Sequence, residues 1–153
     1  MKFNLFDAAL LAAFAALLWA AYTFSAPQVM ANDGGQKIRY VIELGEKREG
    51  FSQGIRAGAA VYDSLKSYAI GTVVSAYGLP YWVDSPDEEG GVFRRAYVEG
   101  LEFTYVVVEA IAWVDDYQTA VGQYPVAVNN EVFVRSKDFA GQGFITSLEF
   151  IGG

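Results

Sequence analysis

The stretch "KIRYVIEL", Lys37 to Leu44, decides how the rest of the chain is read. Ile38, Tyr40, Ile42 and Leu44 fall on one side of an extended chain, and Arg39, Val41 and Glu43 on the other. A period of two with apolar residues in one phase is the pattern of a half-buried β-strand. Working toward the C-terminus, the polar and glycine-punctuated "GEKREGFSQGIRAG" connects to two short strands, "AAVYDS" and "YAIGTVVSAY". Gly71 inside the second marks a bulge or a close backbone approach.

"LEFTYVVVEAIAWV", Leu101 to Val114, begins with alternation and ends nearly all apolar, as a central strand does. "YPVAVNNEVFVRS" reads as a hairpin turning at Asn129-Asn130, where a positive φ is tolerated. "KDFAGQ" turns the chain and "GFITSLEFI" closes it as a last strand. Between these elements, Gly78 to Gly100 reads as a long loop with some strand character over Val92–Val98, and loops of that length are usually functional or disordered. No helix longer than a turn is expected after residue 36. About seven short strands at roughly ten-residue spacing predict a mainly β domain, a small barrel or sandwich, over 37–153.

Working toward the N-terminus, "SAPQVMANDGGQ" over 25–36 reads as a linker, with proline, paired glycine and no periodicity. Before it, Leu5 to Phe24 is predominantly apolar, with Asp7 its one charge and no glycine or proline. Twenty residues of helix span about 30 Å, the thickness of a bilayer's hydrocarbon core. The β-domain is therefore expected to follow a single transmembrane α-helix over 1–24. Asn4 and Asp7 are placed to cap the helix start, and Trp19 and Tyr22 suit the far membrane interface. "APQVMA" offers small residues for signal cleavage, but the apolar run exceeds the about 7–15 residues of a signal peptide, which favours an uncleaved anchor. Lys2 and the terminal amine before the helix, with an acidic domain after it, favour a cytoplasmic N-terminus and an extracytoplasmic β-domain. Ala8, Ala12, Ala16 and Ala20 form a small-residue stripe suited to helix–helix packing.

The totals exclude several function classes. The chain has no cysteine and no histidine, so disulfides, cysteine nucleophiles, histidine triads and Cys/His zinc sites are ruled out. A formal net charge of −7 disfavours a nucleic-acid partner, which needs clustered basic residues. Ser64 with Lys66, and acids such as Asp63, Asp84, Asp115 and Asp116, contain the elements of hydrolytic sites without any fixed spacing. "DSPDEEGG", Asp84 to Gly91, lacks the one-three-five spacing of a calcium loop. Neither cofactor nor metal is expected. Tyr81 and Trp82 in "LPYWVDSP", beside two prolines and an acidic rim, have the composition of a partner contact.

"NLFDAALL", "IRAGAAVYD", "IGTVVSAY" and "VFVRSKDFAGQGFI" together resemble a bacterial family of domains of unknown function, each with one N-terminal membrane helix and a small β-domain, which implies a bacterial inner (cytoplasmic) membrane with the β-domain on the periplasmic side. More distantly, Gly58, Val61, Ile70, Gly71 and Val73 are similar to the glycine–valine rhythm of the MCE (mammalian cell entry) domain. "LKSYA" stands where that family usually has a glycine before its Ile-Gly pair. The MCE resemblance implies homo-oligomeric rings that pass lipid. The residues themselves point to a non-enzymatic accessory or structural subunit of a larger membrane or envelope complex. Its partners would be other membrane protein subunits and the lipid bilayer, and self-association stays open. An MCE-like lipid-transfer ring and a surface filament subunit are the alternatives.

Overall fold

The computed structural model describes residues 35–86 and 91–152. These fold into an antiparallel sheet of eight strands, one more than the sequence pattern suggests. The strands are β1 (Gln36–Arg48), β2 (Ala60–Asp63), β3 (Ala69–Pro86), β4 (Phe93–Val114), β5 (Thr119–Val121), β6 (Tyr124–Pro125), β7 (Glu131–Arg135) and β8 (Ala140–Phe150). Hydrogen bonding runs in the order β1-β8-β7-β2-β3-β4-β5-β6, and β1 also pairs with β4. That last pairing closes β1, β8, β7, β2, β3 and β4 into a barrel, with β5 and β6 continuing from the end of β4.

The alternation of "KIRYVIEL" becomes the barrel's inside and outside. Ile38, Tyr40, Ile42 and Leu44 are buried, and Ala110, Val108 and Val106 of β4 stand opposite the first three. Val61, Ile70, Val73, Val132, Val134 and Ile145 complete the core from the other strands. Each such side chain contributes about 1.5–3 kcal/mol on burial, so this interior is the main favourable term for the domain.

Closure needs bends, and bulges supply them. Register shifts fall between Glu43 and Glu46 on β1, between Val41 and Ile42 against β8, and between Val61 and Tyr62 against β3. The last leaves Ile70 unmatched beside Gly71, whose φ is +143°. A Cβ on Gly71 would lie 2.5 Å from the Glu109 carbonyl oxygen, so the expected close approach is there.

Two expectations are corrected. Gly78–Gly100 is largely not a loop: β3 and β4 run through it as a paired ribbon. Pro80 and Pro86 hid this, yet proline is admissible where a strand lies at an edge, and this part of β3 is one. The second correction concerns "YPVAVNNEVFVRS". Asn129 does take a positive φ of +70°, but its flanks do not pair with each other. Tyr124–Pro125 pairs with β5, whereas Glu131–Arg135 lies between β2 and β8. A short strand takes the neighbours that bury its apolar face, and Val132 and Val134 belong to the barrel core.

The single helical element among the described residues is a 3-10 turn at Ser52–Gly54. Among them no helix is long and apolar enough to cross a membrane. The expected anchor over Leu5–Phe24 lies outside the described residues, as do Asn4, Asp7, Trp19, Tyr22 and the alanine stripe at 8, 12, 16 and 20.

Candidate functional site

β1 accompanies β4 only as far as the Arg48–Leu101 pair. Beyond it, β3 and β4 leave the barrel and continue as a two-stranded ribbon, with Trp82 opposite Tyr97, Asp84 opposite Arg95 and Pro86 opposite Phe93. Five residues of strand carry it ~17 Å past the barrel at the usual rise. The junction is irregular: between the Pro80–Glu102 and Trp82–Tyr97 pairs, β3 has one residue and β4 has four. Gly100, at φ +77°, takes the left-handed conformation that this jog requires.

One face of the ribbon is aromatic from the barrel wall outward. Tyr77 stacks on Tyr105 with ring centres 5.1 Å apart, and Tyr81 and Trp82 meet Phe103 at 4.6 and 6.0 Å. The Arg95 guanidinium lies over the Trp82 ring, 3.8 Å from its centre. Glutamates of β1 border this face. Burial, with a hydrogen bond to Glu43, pushes the Tyr105 hydroxyl up to about 12, and burial together with Glu46 raises Tyr81. Tyr81 and Trp82 are half-buried against Phe103, so neither is a bare loop aromatic. The open surface belongs to residues that the sequence pattern did not single out, Phe93 at 74% exposed and Tyr97 at 69%. Their signal was the alternation Phe93, Arg95, Tyr97, obscured by the paired arginines.

Behind the ribbon, an open cavity of about 660 Å³ is lined by residues including Ser52, Gln53, Gly78, Pro80, Tyr97 and Glu102. Glu102 is 6% exposed and points inward, in phase with Thr104 and Val106. Its carboxylate accepts from the backbone N–H of Gly50 at 3.0 Å, the N–H of Ser52 at 2.8 Å and the Thr104 hydroxyl at 2.8 Å. Burial pushes its pKa up, but these donors outweigh burial and hold it below the usual value. A carboxylate so occupied is a clamp that fastens the 48–54 turn to β4. Gly78 makes room for it, since a Cβ there would lie 2.4 Å from Glu102 Oε2.

The other candidate acids are dispersed. Asp63 accepts from the backbone of Lys66, and Asp115 accepts from the N–H groups of Tyr117 and Gln118, as turn-forming aspartates do. Ser64 and Lys66 are exposed in the β2–β3 turn. On the outer wall, Glu109 takes Lys37 at 2.7 Å and Arg39 at 3.0 Å, which lowers its pKa. Comparison with family models, with curated proteins and with solved structures finds no match for this chain.

Proposed function

We propose that this chain is a non-enzymatic, single-pass membrane protein that serves as an accessory or structural subunit of a larger membrane or envelope complex. Its N-terminus lies in the cytoplasm, its helix packs through Ala8, Ala12, Ala16 and Ala20 against other membrane subunits, and its β-domain docks outside the membrane. The ribbon is the observation that carries this reading. An unsupported two-stranded hairpin is marginal in water, and this one displays Phe93 and Tyr97 beside the Trp82–Arg95 pair. Aromatic and arginine residues in such a cluster are the residue types that anchor protein interfaces.

The test is purification of the native protein in mild detergent, with mass determination of what accompanies it. Unrelated membrane subunits at fixed stoichiometry, lost on Trp82→Ala with Tyr97→Ser, support the reading. A homo-oligomer carrying only lipid replaces it with the transfer-ring alternative.

A further inference from the structure

The antiparallel order brings four chain segments to the barrel end opposite the ribbon: the start of β1, the end of β8, the β2–β3 turn and the β4–β5 turn. Apolar side chains crowd the surface there. Tyr117 is 95% exposed at the tip of the β4–β5 turn and Leu65 is 71% exposed in the β2–β3 turn. Ile111, Trp113 and Phe150 are also exposed, around the first residues of β1. Lys66 lies 5.9 Å from the ring centre of Tyr68, and Lys37 flanks Ile111 across the β1–β4 ladder.

We infer that this end of the barrel rests on a lipid bilayer, with Leu65, Trp113 and Tyr117 in the headgroup–acyl boundary. The inference rests on the anchored reading above and adds to it which surface meets the membrane. Lipid is chosen as the occupant by side-chain chemistry, within the reach of the chain. The chain enters β1 at this end, at Gln36, twelve residues after the apolar segment closes at Phe24. That tether reaches up to about 40 Å when extended, so it permits contact at this end without imposing it. Side-chain chemistry then decides. Trp and Tyr favour the membrane interface, where an apolar ring and a polar tip are both satisfied, and lysines reach outward to headgroups. Lys37 is already paired with Glu109, and Asp115 and Asp116 offset Lys66 at the same end, so the attraction is apolar and interfacial rather than coulombic. Asp115 is kept out of the way by its bonds to the backbone of Tyr117 and Gln118.

The chain contains no cysteine, so one introduced cysteine carries a unique label. The full chain would be reconstituted into phosphatidylcholine vesicles with an environment-sensitive dye at Leu65→Cys or Tyr117→Cys, and at Phe93→Cys or Lys137→Cys on the far side. Quenching by nitroxide-bearing lipid is expected to be about threefold or more stronger at 65 and 117 than at 93 and 137, and unchanged by added salt. Equal quenching at all four positions overturns the inference, as does shielding from aqueous iodide without quenching by lipid, which marks a protein cover. Flotation of the same vesicles in alkaline carbonate separates the two readings. Protein that fails to float overturns the anchor and this inference with it; protein that floats with unshielded labels overturns this inference alone.

Discussion

The Tyr40 hydroxyl donates a 2.7 Å hydrogen bond across the barrel interior to the carbonyl of Ile70. Ile70 is the residue left unmatched where β2 and β3 slip register. The bulge that helps the sheet close therefore releases a buried acceptor, and the one tyrosine of the β1 core supplies its donor. Burial raises the Tyr40 pKa far above that of an ordinary phenol, which keeps the proton on the donor. Tyr40→Phe retains the ring and orphans the carbonyl, at an expected cost of about 1–3 kcal/mol. Urea denaturation of the two proteins measures it; an unchanged midpoint removes the pairing from the account of stability.

Glu102 sets a dependence on acid. Its folded pKa is depressed, so its contribution is present above the unfolded carboxylate value and is lost as pH falls through the folded one. Glu102→Gln leaves an amide where three donors converge and is expected to cost roughly 2–3 kcal/mol at pH 7. The gap between wild type and variant should narrow as the pH is lowered below 4. A constant gap in denaturation midpoints from pH 7 to pH 3 contradicts the clamp.

Tyr105 acts at the other extreme. Its folded pKa of about 12 lies above the ordinary tyrosine value of 10.0, so its contribution is complete below pH 10 and is lost as pH rises toward 12. Tyr105→Phe, which removes the titrating hydroxyl and keeps the stack on Tyr77, should flatten this alkaline loss. Thermal melts of both proteins between pH 9 and pH 12 check the difference.

Two glycines of β8 should answer differently to alanine. A Cβ on Gly143 would fall 2.0 Å from the Glu43 carbonyl oxygen, backbone against backbone, whereas one on Gly141 meets only the Leu44 side chain at 3.4 Å. Gly143→Ala is expected to destabilise by roughly 3 kcal/mol and Gly141→Ala by less than about 1 kcal/mol. Guanidinium unfolding ranks them, and equal effects would show that the β1–β8 approach is looser than described.

The ribbon should carry docking energy without carrying the barrel. Trp82→Ala with Tyr97→Ser is expected to weaken complex formation by about tenfold or more, the scale of a hot spot. The barrel's unfolding midpoint should shift by less than about 1 kcal/mol, because these residues stand beyond the last β1–β4 pair. Blue-native gels and thermal melts read the two effects separately.

Much of the barrel was legible in the residues. The inward phase of Ile38, Tyr40, Ile42 and Leu44 and the tight approach at Gly71 follow from periodicity and residue size, whereas the apolar run that ends β4 did not tell that Ile111, Trp113 and Val114 are exposed. The ribbon was less legible, since Pro80, Pro86 and the glycines at 78, 90, 91 and 100 are the composition of a loop. Proline survives in β3 because no third strand needs its amide there, and that is a property of the neighbours.

Glu102 shows the same division. The sequence pattern did not single it out, because the apolar run after it, Val106 to Val108, leaves the inward phase of β4 ambiguous. Its partners, Gly50 and Ser52, are some fifty residues away in sequence. The sequence by itself determined which residues of β1 turn inward, because side-chain direction alternates strictly along the strand. Only the tertiary structure decided which strands meet, that β1 closes on β4, and that β3 and β4 run on together beyond the barrel. Pairing partners are chosen by the burial and hydrogen bonding of the whole sheet, and no single segment contains that information.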